Sequence, residues 1–396
     1  MKIKSLRLDG FLSFSPGSEP VELKDLNVLI GANGAGKSNF IDALAMIRSM
    51  SRQPIEPVIE GGGADAWIWK GSPKCDEATV DVVFENVPST RYPLRHIFSF
   101  RESAAGFVIC DERVEYEKPR DDRYDVPFFF YKYGRGNPVL SVKKTGEDGF
   151  FERQLRHEDL DPQKSILAQR KDPDAYPEIT ALAEGYDDIR IYRDWAIGRT
   201  VMPRQPQRAD MWSSWLMEDF SNLALVLNNI RNDRDSERNM LDTFRYVYNG
   251  ATDIRTRLEG GLVYILVREK NCDIPAARLS DGTLHFLSLL AILYNPKIAP
   301  VTCIEEPELG LHPDLIGVLA KAILFASERS QLIITTHSPL LLDALGESPD
   351  SIIVCEKGED DGTVMKRLDS EDLKVWLDRY SLGTLWRRGD LGGNRW

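Results

Sequence analysis

Long apolar runs are missing from this sequence. Its most apolar windows, such as Leu284 to Leu293, are too short to span a bilayer, so a membrane-embedded chain is excluded. The opening "MKIKSLRLDGFLSF" has no apolar signal-peptide core. Cysteine is scarce and odd in number: Cys75, Cys110, Cys272, Cys303 and Cys355, with no C-x-x-C pair. That pattern reads as reduced thiols of a cytoplasmic protein rather than a disulfide framework. With only five histidines and no clustered Cys/His spacing, a structural zinc site is not expected. Basic charge is in deficit, 50 residues against 62 acidic, for a net charge of -12. A chain coated with nucleic-acid-binding surface is therefore not expected, although a local basic groove is compatible. Internal repeats and sustained heptads are also lacking, and Pro and Gly interrupt the middle, which excludes a long coiled-coil arm.

What is present is a chain of 396 residues, 42% hydrophobic and 28% charged, able to bury a large core. "KIKSLRLDGFLSF" alternates and reads as an N-terminal strand. "LNVLI" is a short buried strand before a glycine turn, and "KSNFIDALAMIRSM" has near-helical apolar spacing. From about residue 79, "ATVDVVFEN", "HIFSFRES", "GFVICDERVEYE" and "FFFYKY" read as antiparallel strands. "MWSSWLMEDFSNLALVLNNIRN" and "ERNMLDTFRYVYN" read as helices, and "IRTRLEGGLVYILVRE" as a hairpin. "RKDPDAYPE" and "PRQPQR" read as exposed loops. "VTCIEE" and "QLIITTHS" are buried strands flanking the helix "DLIGVLAKAILFASE". The expected architecture is one α/β head made from the two chain ends, 1–95 and 251–396, with an α+β insertion or lid from 96 to 250.

Gly31 to Ser38, "GANGAGKS", matches G-x-x-x-x-G-K-[ST] in full. Glycines let backbone N–H groups converge on phosphate oxygens, and the following helix presents its positive end to the same site. Lys37 would reach the β- and γ-phosphates of ATP, and the Ser38 hydroxyl would bind Mg²⁺. Such a loop needs a second acidic element. Glu305 and Glu306, closing the apolar strand "VTCI", supply one. One carboxylate can take the metal and the other can polarise the attacking water. His337 ends another buried strand, where it can bond a γ-phosphate or that water. Ser280 and Gly282, in "RLSDGTLHFL", form another small helix start that can face phosphate, or a simple capping turn.

The order "GANGAGKS", "LSDGT", "CIEEPE", "TTHS" resembles the P-loop ATP-binding-cassette (ABC-type) ATPases, which implies a mixed β-sheet flanked by helices. Within them it is most similar to RecF-like and SMC-like heads and to the ATPase half of the OLD (overcoming-lysogenisation-defect) nucleases. The endings "YSLGTLW" and "GDLGGNRW" resemble a bacterial "predicted ATPase", AAA_21-like group. The resemblance implies ATP sandwiched in a homodimer, or a higher oligomer built on it. Gly31, Asn33, Gly34, Gly36, Lys37, Ser38 and Asn39 would hold nucleotide in cis, and Ser280 and Gly282 would reach the γ-phosphate held by the other copy. Glu305 would stand on the Mg²⁺ side, Glu306 would be the catalytic base, and His337 the switch histidine. Two departures stand out: Glu305 replaces the usual Asp, and Leu12 stands where relatives often carry Lys or Arg. No glutamine of the usual lid loop is identifiable, Gln53 standing only as a candidate.

OLD nucleases carry a Toprim metal-nuclease domain after the ATPase. "IIVCEKGEDDG" echoes its opening, but it reads better as a hairpin with an acidic turn, since no later acidic pair follows to assemble metals. No nuclease activity is expected of this chain alone. Arg190, Arg193, Arg199, Arg204 and Arg208, with Tyr192 and Trp195, suit DNA contact or a solvated face with core aromatics. The favoured function is a DNA-associated ATPase dimer that gates a separate effector, such as a Toprim-type nuclease, in phage defence or DNA repair. A non-catalytic ATP-dependent scaffold and a transporter motor are the alternatives.

Overall fold

The computed structural model describes residues 1–392 apart from 54, 89, 105, 121–124, 135–136, 145–148, 196–197 and 378. Its central sheet is built from the short apolar runs: β3 (Leu26–Ile30), β10 (Ile189–Tyr192), β15 (Val301–Glu305), β16 (Gln331–Thr335), β17 (Ile352–Lys357) and β18 (Thr363–Arg367). Their order is β10-β15-β16-β3-β17-β18, parallel except for the β17–β18 hairpin. Both faces are covered at β3, β15 and β16, so these runs are buried almost throughout rather than alternating, whereas the edge strand β18, "TVMKR", carries polar and exposed residues. Leu29 enters one core, while Val28 and Ile30 enter the other.

The first core lies against an eight-stranded antiparallel sheet. It comprises β1 (Lys2–Asp9), β2 (Val21–Glu22), β4 (Glu77–Glu85), β5 (Leu94–Ser103), β6 (Gly106–Tyr116), β7 (Phe129–Gly134), β8 (Val139–Lys143) and β9 (Phe150–Gln154), ordered β2-β1-β4-β5-β6-β7-β8-β9. Helix α1 (Lys37–Ser49) belongs to this core with the short α2 (Ile55–Glu60) and α3 (Ile166–Gln169) and with α4 (Pro177–Asp187). Phe40, Ile41, Leu44 and Ile47 of α1 are fully buried. Each such side chain stabilises the seat by roughly 1.5–3 kcal/mol. Packing therefore holds α1, whose N-cap, Gly36, offers no side-chain bond.

The second core gathers α5 (Leu223–Ile230), α6 (Arg234–Val247), α7 (Asp281–Leu293), α8 (Ile316–Ser327), α9 (Pro339–Ala344) and α11 (Leu382–Arg388), with α10 (Ser370–Leu377) at its margin. A small sheet joins them: β11 (Gln207–Arg208), β13 (Leu262–Glu269) and β12 (Ala251–Glu259), with β14 (Cys272–Pro275) on β13. The β12–β13 turn at Gly260-Gly261 is the hairpin read from the sequence. Gly383 of "YSLGTLW" brings α11 close to α9, where an added Cβ would stand 2.2 Å from the Pro339 carbonyl. The last four residues of "GDLGGNRW" lie outside the described residues.

Three readings need correction. The helix expected over "MWSSWLMEDFSNLALVLNNIRN" begins only at Leu223. Ahead of it, the buried Asn222 amide accepts from Met217 N and donates to the carbonyls of Trp212 and Trp215. An Asn side chain that satisfies three backbone groups holds a loop against the helix its sequence otherwise favours. "PRQPQR" is not wholly an exposed loop, because Gln207 is buried and pairs with Val263. The stretch from 96 to 250 is shared between layers. The 95/96 boundary falls inside β5, β6 to β9 continue the antiparallel sheet, and β10 forms the edge of the central one.

Among the described residues the longest helix, α6, has 14 residues, and no helix is long and apolar enough to cross a membrane.

Candidate functional site

The glycine turn sits between β3 and α1, at the end where the parallel strands point. Two of its glycines are forced by neighbours. At Gly31 a Cβ would lie 2.2 Å from the Cys355 carbonyl. At Gly36, with φ of 101°, it would lie 2.2 Å from Thr363 Oγ1. Gly34 also has positive φ, 76°, but faces open space. The turn is thus pressed against the β17–β18 hairpin on one side and free on the other.

A short polar chain ties the turn in place. Thr363 Oγ1 donates to the Ala35 carbonyl at 3.0 Å and meets Ser13 Oγ at 2.7 Å. Asn39 Nδ2 donates to Ser13 Oγ at 2.7 Å. Asn39, expected at the nucleotide, therefore braces the loop from beneath, while Asn33 and Ser38 are exposed.

Lys37 is 6% exposed and curls over its own loop, donating to the carbonyls of Gly31 and Ala32. Burial pushes its pKa down, and Cys355, Glu306 and Glu305 push back. Parallel pairing of β15 beside β16, and of β16 beside β3, brings Glu305, Glu306 and His337 to the same edge. Glu306 has φ of 44°, a left-handed conformation that a glutamate rarely adopts, and its N–H donates to the Thr335 carbonyl. Strain of this kind, about 1–3 kcal/mol, persists where the surroundings impose it and clusters at functional sites. His337 Nε2 stands 3.8 Å from Glu306 Oε1. Burial and the Lys37 charge hold the imidazole below its ordinary pKa, against the pull of Glu306, so the neutral ring is favoured.

The Glu305 side chain is 19% exposed, and its Oε1 has no hydrogen-bond partner. Burial raises its pKa, and Arg193, with Nε 3.5 Å away, lowers it. The residues fit a magnesium nucleotide: a buried carboxylate oxygen without a donor, an exposed Ser38 hydroxyl and an ammonium resting on replaceable carbonyls.

Ser280 and Gly282 are not brought to this cluster within one chain. Ser280 caps α7, accepting from Thr283 N at 3.1 Å. Both residues line a separate cleft of about 690 Å³ with Tyr246 and His312.

Gln53 is ruled out as the lid glutamine. It follows the far end of α1, whose 13 residues separate it from Lys37 by roughly 20 Å. The residue beside Glu305 after the edge strand β10 is Arg193, which also holds Asp42 of α1 at 2.8 Å. Nor do the arginines near it form a basic face. Arg190 lies 4.3 Å over the Trp215 ring and donates to the Asp187 carbonyl. The Arg204 side chain is 8% exposed and pairs with Asp281, while Arg208 pairs with Asp210. Tyr192 and Trp195 donate to the carbonyls of Leu216 and Glu305. Arg199 and Arg208 stand exposed, Arg208 with its charge already paired to Asp210, and 196–197 lie outside the described residues. The DNA contact expected of this segment is therefore withdrawn.

Sequence reading missed Thr363 and Glu308, and it placed Arg193 in a DNA contact rather than beside Glu305. Glu308 Oε1 accepts from Thr336 Oγ1 at 2.5 Å and from His337 N at 3.1 Å, fixing the turn that carries the histidine. Only Glu308 left a signal, as the last carboxylate of "EEPE".

The family described as "AAA domain, putative AbiEii toxin, Type IV TA system" matches residues 26–343. Structural maintenance of chromosomes protein 2-2 of Arabidopsis thaliana is 31% identical over 101 residues, and protein 2 of Gallus gallus 32% over 95. Each match covers 24% of this chain and 8% of the relative, so the chain spans a small part of these proteins. Two solved structures share the fold. An SMC head bound to the C-winged helix domain of ScpA has a TM-score of 0.57 at 16% identity, covering 94% of this chain and 99% of that one. A head with an extended coiled coil, bound to the C-terminal domain of ScpA and derived from Pyrococcus furiosus, has a TM-score of 0.55 at 14% identity, covering 95% and 98%. The chain belongs to this AAA-domain family, and its fold is the P-loop ABC-type ATPase head also seen in SMC proteins.

Proposed function

We propose that the chain binds and hydrolyses ATP as a head-to-head pair and that the cycle gates a separate effector protein. One observation carries the reading: Lys37, Glu305, Glu306 and His337 gather around the glycine turn, with charges that act on one another. Magnesium, when bound, would neutralise phosphate charge and fix the nucleotide's orientation. Ser38 and Glu305 would hold it. Lys37 exchanges its two loop carbonyls for phosphate oxygens. Glu306 takes a proton from the attacking water, and the neutral His337 donates or accepts a hydrogen bond beside it. Intact Glu306 and His337 favour turnover over a passive scaffold.

The second cleft supports pairing. Ser280 caps a helix whose start points to no partner within the chain's own nucleotide cluster. Seated on another copy, that start would complete its γ-phosphate site. The family description names a "putative AbiEii toxin" of a Type IV toxin–antitoxin system and no separate effector. A role in phage defence or repair, with a Toprim-type nuclease as effector, is the form of the effector reading suggested by the likeness to OLD nucleases. The chromosome proteins among the relatives favour DNA as the setting, met through a surface other than the 190–208 segment.

Mixing two inactive variants tests the shared site. Lys37→Ala and Ser280→Arg subunits should each lack turnover, and a mixture should regain about one working site per heterodimer. If heterodimers form and no activity returns, the paired reading fails.

A further inference from the structure

The largest cleft among those described, about 940 Å³, is not at the glycine turn. It lies along the outer face of α1, between α2 and the 211–219 loop. Four arginines line it, and all four are engaged. Arg48 pairs with Glu218, and Arg52 Nε donates to Asp187 at 2.6 Å. Arg190 is stacked on Trp215, and Arg193 is held by Asp42 and Glu305. The carboxylates are less committed. Glu56 and Glu60, one turn apart on α2, and Asp194 are exposed and have no ion-pair partner among the described residues. Trp212, 60% exposed, and Met217, 39% exposed, line the same cleft from the 211–219 loop.

We infer that this cleft docks an arginine- or lysine-bearing segment of a partner protein. An exposed indole and unpaired carboxylates lining one cleft suit a segment with cations on long aliphatic stems, which cover the ring while their charges meet the acids. A nucleic acid would bring phosphates against Glu56, Glu60 and Asp194 with no free cation on the wall to receive them. The cleft also reaches the nucleotide site. Arg193 lines it and joins Asp42 to Glu305, so a cation arriving beside Asp42 and Asp194 competes with Arg193 and loosens its hold on Glu305. Docking stands on the cleft alone. Its effect on turnover rests on the function proposed above.

Binding of fluorescent octa-arginine to the full chain, without nucleotide, is the direct test, with octa-glutamate and a 20-nucleotide dT strand as competing probes. Octa-arginine should bind best. A Glu56→Lys/Glu60→Lys variant should weaken it at least tenfold, as should Trp212→Ala with an unchanged melting midpoint. Glu347→Lys, an exposed carboxylate elsewhere, should leave it unchanged and so separates the cleft from the general acidity of the chain. Equal binding by the wild type and the α2 variant overturns the proposal, as does tighter binding of dT. Calorimetry with Mg·ATP on the same preparations keeps the two readings apart. A wild-type chain that binds Mg·ATP but not octa-arginine sinks the docking site alone, and one that binds octa-arginine but not Mg·ATP sinks the nucleotide reading alone.

Discussion

Two helix starts in this chain carry glycine and serine, yet they are built differently. The start of α1 is enclosed: Gly31 and Gly36 press on the β17–β18 hairpin, Thr363 holds the Ala35 carbonyl, and no side chain caps the helix. The start of α7 is open: Ser280 is exposed and spends its hydroxyl on Thr283, and a Cβ on Gly282 would meet only the Gly310 carbonyl, at 3.2 Å. An enclosed start fixes several N–H groups in advance and can hold an anion by itself. An open one has its donors facing outward and gains its ligand only when another surface brings it. The same local chemistry thus serves two tasks, and the surrounding elements decide which.

The comparison is broken most directly at the enclosed side. Glu306→Gln keeps the shape of the strained residue and removes its basicity. Loss of a positioned base lowers rate by about 10²–10⁴-fold, or about 3–5 kcal/mol in the barrier. Steady-state phosphate release should fall by that factor while Mg·ATP affinity stays within a few-fold. A collapse of affinity instead would make Glu306 a binding group.

Gly36→Ala comes next. Its Cβ would meet Thr363 Oγ1 at 2.2 Å, and φ of 101° adds strain, so about 2–4 kcal/mol of stability should go, together with ATP binding. Gly34→Ala meets nothing and should cost only the left-handed strain, about 1–2 kcal/mol. Urea midpoints compare the two. If Gly34→Ala is the worse, the hairpin is not what encloses the loop.

How much of this could be read beforehand depends on where the information sits. Val28 to Leu44 declared a strand, a turn and a helix, because burial pattern and glycine spacing are local. Glu305, Glu306 and His337 were found because each closes an apolar strand, and parallel strands that end together place such residues together. Thr363 was hidden: its hydroxyl meets Ala35 across 328 positions, and nothing near it in sequence marks that contact. Arg193 was misjudged for the same reason. Among neighbouring arginines it looked like surface charge, and only the pairing of β10 with β15 turns it toward Glu305. The loop at 211–222 shows the opposite failure, where apolar spacing favoured a helix and one buried amide, Asn222, overrode it.

Acidity probes the floor of the open side. His285 lies on α7 one turn beyond Ser280, is 3% exposed and packs on Trp195 with ring centroids 4.1 Å apart. Burial pushes its pKa down to about 4. The unfolded chain takes up a proton near the ordinary histidine pKa, about 6.5, whereas the folded chain does so only near the lower value. Stability is therefore full above about pH 6.5 and declines as pH falls toward 4, by about 2 kcal/mol at pH 5. His285→Leu should flatten that part of the melting profile relative to wild type. An unchanged slope between pH 7.5 and 5 would mean that His285 charges in place.

The smallest effect sharpens the contrast furthest. Ser280→Ala removes the acceptor for Thr283 N and should cost about 1 kcal/mol, the usual worth of a serine cap. That is a shift of a few degrees at most in melting midpoint. At concentrations where the chain sediments as a monomer, its Mg·ATP affinity should equal that of wild type, because its own nucleotide cluster lacks Ser280. Turnover, which needs the second copy, should drop well beyond what the lost stability explains. Calorimetry on dilute protein and phosphate release on concentrated protein separate the two. Should the dilute monomer lose ATP affinity as Lys37→Ala does, both helix starts serve one site in one chain, and the division between a self-sufficient start and one that waits for a partner is wrong.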